Sequence, residues 1–327
     1  MPLLILNKGD VERLLSMPKC IELMEDALAS LARGQVILPL RPVFRIPDTG
    51  NFFGVMPAYS ASLKAIGAKL ISVFPGNHGT ALDSHQGAVA LFDGTTGSVV
   101  SVMDAASITA IRTAAVSGVA TKLLARQDAT TVAILGSGVQ GHTHIDAMMA
   151  ARPFKRVIVW SRDASKAHAL VEWASKRHSV ACEVAGDAAA AVGNADVVCT
   201  VTASREPVLM GHWLKDGAHV NAVGASVATS RELDTLAVVR SRVFVDRRES
   251  AANEAGELII PMKEGAFKMT DIVAELGELL IGSAVGRRDD REITLFKSLG
   301  IAVEDLACAH WLYERASADK IGVTVEF

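Results

Sequence analysis

The segment from Thr130 to Ala151 constrains this chain more than any other. It opens with TTVAIL (Thr130 to Leu135), a β-branched apolar run of strand type. Gly136, Ser137, Gly138, Val139, Gln140 and Gly141 follow as a complete G-x-G-x-x-G, and Val139 to Ala151 has helical character. The spacing alone is weak, but between a strand and a helix it takes the context that a dinucleotide turn needs. The first glycine permits the tight turn and the second lets the backbone approach a pyrophosphate. The third lets helix and strand pack closely, while the helix N-terminus offers free N–H groups to the anion. A glycine turn in some other α/β fold is the competing reading.

The pattern continues downstream. Strand-like runs at Arg156 to Trp160, Ser179 to Val184, Asp196 to Val201, His219 to Val223 and Val243 to Asp246 alternate with helical stretches at Ala164 to Lys176 and Asp187 to Gly193. That alternation predicts a parallel sheet with crossover helices. The N-terminal third differs. Apolar spacings of three and four residues from Val11 to Leu28 predict one or two amphipathic helices parted near Pro18. Short β-rich pieces follow between Val36 and Phe92, and Asp93 to Gly97 forms a hairpin turn into Ser98 to Met103. Ala105 to Leu124 is a packed helix of small apolar residues, and Leu295 to Tyr313 reads as helical before a short tail. The 327 residues suit roughly two domains at about 150 residues each.

Composition removes several classes of function. The formal charge is −3, from 33 Lys+Arg against 36 Asp+Glu, which argues against nucleic-acid binding. An aromatic share of 5% argues against stacking platforms for single strands. Cys20, Cys182, Cys199 and Cys308 are far apart without a C-x-x-C pair, so a structural zinc site or disulfide framework is not expected. His142 and His144 sit two apart on a helix and so face different ways, a poor metal pair. The apolar start is interrupted at Lys8 and Asp10, and Asp104, Arg112 and Lys122 break the Val99 to Leu124 stretch. Neither a signal core nor a membrane span is expected, and the plain expectation is a soluble cytoplasmic protein.

The second strand of the turn domain selects the dinucleotide. It ends in Trp160, Ser161, Arg162 and Asp163. A carboxylate at the strand tip accepts from a ribose 2′-OH, whereas a hydroxyl beside a guanidinium suits a 2′-phosphate. Ser161 and Arg162 therefore predict NADP(H) in preference to NAD(H), with Asp163 placing a carboxylate on the ribose if the register shifts slightly.

Nine segments spread along the chain are diagnostic: GVMPAYS (Gly54 to Ser60), SHQ (Ser84 to Gln86), ITAIRTAAVSGVATK (Ile108 to Lys122), ILGSGVQ (Ile134 to Gln140), TVTAS (Thr200 to Ser204), NAVGAS (Asn221 to Ser226), RELD (Arg231 to Asp234), AELGELL (Ala274 to Leu280) and FKSLGIAVED (Phe296 to Asp305). In these segments the chain resembles the ornithine cyclodeaminase/mu-crystallin family, and most closely its mu-crystallin-like ketimine reductases. The resemblance covers nearly the whole chain. It implies an α/β fold: a Rossmann-type parallel-sheet domain (119–305) plus an α+β substrate and dimerisation domain built from both chain ends (1–118 and 306–327), with homodimers usual. It also implies a choice of chemistries: ketimine reduction with NAD(P)H, an alanine-type amino-acid dehydrogenase, an opine-type synthase, ornithine cyclodeamination with NAD, or an NADPH-dependent small-ligand binder. Cyclodeaminase-type members carry an Asp where this chain has Ser226 in Gly224-Ala225-Ser226. A serine hydroxyl is no general base unaided, so the resemblance favours imine reduction, of pyrroline-2-carboxylate or piperideine-2-carboxylate type.

Reducing a C=N bond beside a carboxylate needs a cationic clamp, a hydride donor and a proton supply. Arg45, Lys69 and Arg112 match the family's substrate-carboxylate residues, and Lys69 and Arg112 are the catalytic candidates. Arg112 stands in an otherwise small and apolar helix, where a charge is costly unless paired. A structural ion pair for Arg112, and surface positions for Lys69 and Arg45, are the plain alternatives. Lys69, Glu254 or solvent could supply the proton, and Ser226 and Glu254 complete the substrate set. By resemblance Ser84, His85, Arg112, Thr113, Thr200, Val223, Lys297 and Ser298 lie near the cofactor with Gly136 to Gln140, Ser161 and Arg162. A structural histidine at position 85 and a helix cap at Lys297 and Ser298 stay open. Arg287 to Arg291 read as a solvated loop.

Overall fold

A computed structural model of the chain describes residues 2–77, 80 and 82–327. The chain divides into two compact units, Met1–Arg112 with Ile301–Phe327, and Thr113–Gly300. The sequence-based division points, after residues 118 and 305, fall inside helices that begin at Ala105 and Ala302.

The first unit starts with β1 (Pro2–Leu6), α1 (Lys8–Leu14) and α2 (Met17–Ala32). Asn7 and Asp10 form a reciprocal capping box that fixes where α1 begins. Pro18 lies in the first turn of α2, where a missing N–H is harmless. Strands β2 (Val36–Ile37), β3 (Val43–Arg45), β4 (Phe52–Ser60), β5 (Ala65–Val73), β6 (His85–Asp93) and β7 (Val99–Asp104) follow, and then α3 (Ala105–Leu124). The Asp93 carboxylate accepts from the Thr95 and Thr96 N–H groups and so shapes the β6–β7 turn. In β5, Ala65, Gly67, Lys69, Ile71 and Val73 are buried while Ile66 and Leu70 are exposed, the period-two signature of a sheet covered on one face.

The second unit contains β8 (Thr131–Leu135), α4 (Val139–Ala151), β9 (Arg156–Trp160), α5 (Ala164–Arg177), β10 (Ala181–Val184), α6 (Ala188–Asn194), β11 (Val197–Thr200), β12 (His219–Ala222), α7 (Thr235–Val239), β13 (Ser241–Val245), α8 (Arg248–Glu254), α9 (Gly256–Lys263), β14 (Ile272–Glu275), α10 (Leu276–Leu280) and β15 (Ile293–Lys297). Its eight strands run parallel in the order β10-β9-β8-β11-β12-β15-β13-β14. Strands β11, β12 and β15 are buried at every position, as a sheet with helices on both faces requires. The strand order reverses between β8 and β11, the switch point beyond whose carboxyl ends ligands bind in such sheets.

Two expectations change here. The stretch from Leu295 is not helical at its start. ITLFK (Ile293 to Lys297) is a fully buried central strand, and Gly300, at φ +75°, turns the chain before the helix begins at Ala302. A short apolar run without flanking turn signals does not tell a buried strand from a helix. The segment from Arg287 is also more than a solvated loop. The half-buried Arg287 donates to the carbonyls of Leu124 and Ala218 and to the Thr294 hydroxyl, tying α3, β12 and β15 at one end of the sheet.

The chain then returns to the first unit as α11 (Ala302–Asp319) and β16 (Val323–Glu326), which pairs antiparallel with β1. That sheet runs β16-β1-β7-β6-β5-β4-β2, with β3 on β4. Helix α11 packs on β4, β5 and β6, on the face that carries Lys69. A Cβ at Gly67 would lie 2.9 Å from Leu306 Cδ1, so the bare glycine lets helix and sheet approach closely.

Candidate active site

The three glycines of the turn do three different jobs. Gly136 has φ +126°, and a Cβ there would stand 2.7 Å from the Val201 carbonyl beyond β11. A Cβ at Gly141 would meet the Gly136 carbonyl at 2.7 Å and Leu170 at 3.1 Å, so this glycine sets how closely α4 packs. A Cβ at Gly138 would have no neighbour within 4 Å, the open place that a phosphate would take. Gly138 is also the N-cap of the 13-residue α4, whose first turn presents the N–H groups of Val139 and Gln140. Val139 is 63% exposed although apolar. On β11 the buried Thr200 hydroxyl has no hydrogen-bond partner among the described residues. An open cradle, a helix N-terminus and an orphaned hydroxyl at the switch point fit a dinucleotide.

At the tip of β9 the Ser137 hydroxyl donates to Ser161 Oγ at 2.9 Å, and Arg162 is exposed. Asp163 caps α5. Its Oδ1 accepts from Ser165 N at 3.0 Å, Ser165 Oγ at 2.6 Å and Lys166 N at 3.3 Å. These bonds, the Ser165 hydroxyl foremost, hold its carboxyl below the usual range. The acid beside the strand tip is thus committed to its own helix.

The loops past β11, β12 and β15 are tied by a buried carboxylate network. Glu232 accepts from Thr202 N at 2.6 Å, Thr202 Oγ1 at 2.7 Å and Gly224 N at 2.7 Å. Its own N–H donates to Glu257 at 3.1 Å, and Glu257 pairs with Lys297 Nζ at 3.1 Å. Lys297 and Glu257 are both wholly buried, and Lys297 also donates to the Ala222 carbonyl at 3.2 Å. The Lys297 ammonium is therefore satisfied inside this unit. Ser298 and Val223 are buried, their N–H groups bonded to Ala222 and Thr200 carbonyls respectively. Ser226 is exposed, Glu254 closes α8 half-buried, and Thr113 is buried on α3.

In the other unit a buried quartet gathers on β5, α3 and α11. Lys69 Nζ lies 2.8 Å from Asp305 Oδ2, and Arg112 Nε lies 3.1 Å from Asp305 Oδ1. Arg112 Nη1 pairs with Glu304 at 2.8 Å, and Lys69 also donates to Thr109 Oγ1 at 3.3 Å. Lys69 is 2% exposed, Arg112 4%, Glu304 0% and Asp305 1%, so water screens none of these charges well. Burial and the neighbouring Arg112 push the Lys69 ammonium down to about 8, against the pull of Asp305. Burial alone would lower Arg112 and raise Asp305. The opposite charges outweigh it, so both stay ionised.

Arg45 and His85 belong to the same sheet face. Arg45 pairs with Phe52, Phe52 with Val73 and Val73 with His85, one row across β3 to β6 on the side that also carries Lys69. Both are exposed, while Ser84 Oγ lies 3.1 Å from His85 Nδ1. Sequence reasoning found the cations and missed the acids. A signal was available: Glu304 and Asp305 interrupt an apolar helix start as Arg112 interrupts α3.

The family model described as the ornithine cyclodeaminase/mu-crystallin family matches residues 3–320. A Delta(1)-pyrroline-2-carboxylate reductase from Bacillus cereus is 36% identical over 326 residues, covering 99% of this chain and 100% of the relative. The ketimine reductase mu-crystallin of Mus musculus is 41% identical over 300 residues, covering 91% and 92%. The structure of the Delta(1)-pyrroline-2-carboxylate reductase of Thermococcus litoralis, in complex with NADH and L-proline, superposes with a TM-score of 0.97 at 37% identity, covering 99% of this chain and 100% of that one. With a match that runs from the first strand into the last helix, the chain belongs to the ornithine cyclodeaminase/mu-crystallin family.

Proposed function

We propose that the chain is an NADPH-preferring reductase of cyclic ketimines of pyrroline-2-carboxylate or piperideine-2-carboxylate type. The observation that carries the reading is that the buried Lys69 and Arg112 are held together on the Asp305 carboxylate, with burial and Arg112 pushing the Lys69 ammonium down to about 8. A reduced nicotinamide dinucleotide bound at the glycine turn supplies the hydride. Arg112, Lys69 and Arg45 hold the substrate carboxylate. The quartet of Lys69, Arg112, Glu304 and Asp305 sums formally to zero, so the exposed Arg45 adds the positive charge that an incoming carboxylate needs. The imine carbon accepts the hydride, the C=N electron pair moves to nitrogen, and the Lys69 ammonium gives nitrogen its proton. Ser226 stands beyond β12 as a neutral hydroxyl, which suits reduction better than base-driven cyclisation of ornithine.

The preference for the 2′-phosphate is read from Ser161, Arg162 and the engaged Asp163. The reading includes a homodimer and a cytoplasmic setting, the latter supported by four cysteines that form no disulfide. No helix is long and apolar enough to cross a membrane among the described residues.

The test follows NADPH absorbance with pyrroline-2-carboxylate, then with pyruvate plus ammonia, and follows ammonia release and proline formation from ornithine with NAD. Rapid oxidation with the first substrate alone is expected. Faster turnover with either of the others, or ligand-induced stabilisation without NADPH consumption, overturns the proposal.

A further inference from the structure

Lys69 and Arg112 come from different elements, a strand and a helix, and nothing in either fixes their spacing. What fixes it is a third element. Asp305 stands in the first turn of α11, where an acid is favoured by the helix N-terminus. It uses both carboxylate oxygens: Oδ2 lies 2.8 Å from Lys69 Nζ, and Oδ1 accepts from Arg112 Nε at 3.1 Å. It is 1% exposed and cannot be replaced there by water. We propose that Asp305 is a positioning residue for the reduction, a bridging carboxylate that sets the spacing of the two substrate cations and secures the charge on Lys69. The inference rests on the reductase reading above and extends it to a residue that need not touch the substrate.

The surroundings make the second half of that role necessary. Arg112 faces Lys69 from α3, and Glu304, Asp305 and the Cys308 thiol face the cluster from α11. The cross-strand neighbours of Lys69, Met56 and Val89, carry no charge. Burial and Arg112 both favour loss of the Lys69 proton, while Asp305 and then Glu304 oppose it. Glu304 is engaged with Arg112 at 2.8 Å, so Asp305 is the acid in direct contact with Lys69. Without it, a buried lysine beside a guanidinium becomes a neutral amine at physiological pH. That amine has no proton to give.

The test uses two variants and a readout independent of turnover. Asp305→Asn keeps the shape and removes the charge; Asp305→Glu keeps the charge and moves it. Lysines labelled with 13C at Cε report Lys69 titration by NMR, assigned by loss of the signal in Lys69→Met. Wild type should titrate near pH 8, Asp305→Asn at least one pH unit lower, and Asp305→Glu close to wild type. In steady-state assays the basic limb of kcat should follow the NMR midpoint in Asp305→Asn. Asp305→Glu should raise KM for the imine at least fivefold with its limb in place. An unmoved Lys69 midpoint in folded Asp305→Asn overturns the inference. So does wild-type KM in Asp305→Glu, which decides the matter if the Asn variant does not fold. A wild-type protein without reductase turnover sinks the functional reading instead, and the NMR titration still tests the Asp305–Lys69 bridge.

Discussion

In the proposed mechanism Lys69, as the proton donor, gives the reaction its pH dependence. The proton donor must be charged, and its proton leaves near pH 8 because burial and Arg112 outweigh the two acids. Turnover should therefore be level below about pH 7 and fall through pH 8, opposite to the behaviour of an enzyme that needs an unprotonated base. Lys69→Met should lower kcat by roughly 10²–10⁴-fold, the usual worth of a positioned acid. Near-wild-type turnover in a folded variant would remove Lys69 from the mechanism. At the far end of the dinucleotide, Arg162→Ala should weaken NADPH binding by roughly 10–100-fold, the loss of one charge-assisted hydrogen-bonding group. NADH affinity should stay within about twofold, as no 2′-phosphate is lost. Fluorescence titration with both cofactors decides, and equal loss for both would show that Arg162 does not read the 2′-position. Asp163 could not have been assigned from sequence, because a strand-tip carboxylate and a helix cap look alike until the hydrogen bonds are seen.

At the scale of elements, the glycine turn separates binding from stability. Gly138 has ordinary φ (−84°) and nothing near its missing Cβ, so Gly138→Ala should change stability by no more than about 0.5 kcal/mol. It should nevertheless weaken dinucleotide binding at least tenfold, because the methyl occupies the phosphate's place. Gly141→Ala drives a methyl against the Gly136 carbonyl and should cost about 1–3 kcal/mol in thermal or urea unfolding. Equal effects of the two on stability would contradict these assigned roles. This turn was legible because strand, spacing and helix all pointed one way. The segment around Ile293 was not, since a buried central strand and a buried helix share one apolar pattern. Helix α11 was legible as a helix, but its charges were not legible as partners of Lys69 and Arg112. They are separated from those cations by about two hundred residues of sequence, and only the fold closes that distance.

The buried histidines give the whole molecule one acid-side pH response. His144 lies between the Ser117 hydroxyl (2.9 Å) and the Gln140 carbonyl (2.8 Å), and burial pushes it down to about 4; His219 is pushed down to about 3. Between pH 6.5 and about 4 these two rings bind protons in the unfolded chain that they refuse in the folded one, so their contribution to stability falls as pH falls through that window, against the opposite trend of the buried acids Glu232 and Asp246. His144 alone accounts for on the order of 3 kcal/mol. In His144→Gln the slope of unfolding free energy against pH over that window should be visibly shallower than in wild type. An unchanged slope would mean the ring is not buried neutral.

For the proposed homodimer, the sheet face turned away from α11 is the candidate contact. Phe44, Phe53, Val55, Ile66, Leu70, Ala88 and Phe92 share it by register, with Phe44 and Phe53 rings 5.5 Å apart. Phe44 is 61% exposed, Ile66 40% and Leu70 39%. A soluble monomer rarely carries so continuous an apolar patch, and two copies meeting face to face would cover it. Light scattering should give a wild-type mass of about twice 34.5 kDa at micromolar concentration. Leu70→Asp, central on the face between Val55 and Ala88, should give a folded monomer. A wild-type protein that runs at 34.5 kDa would show that the face serves some other contact.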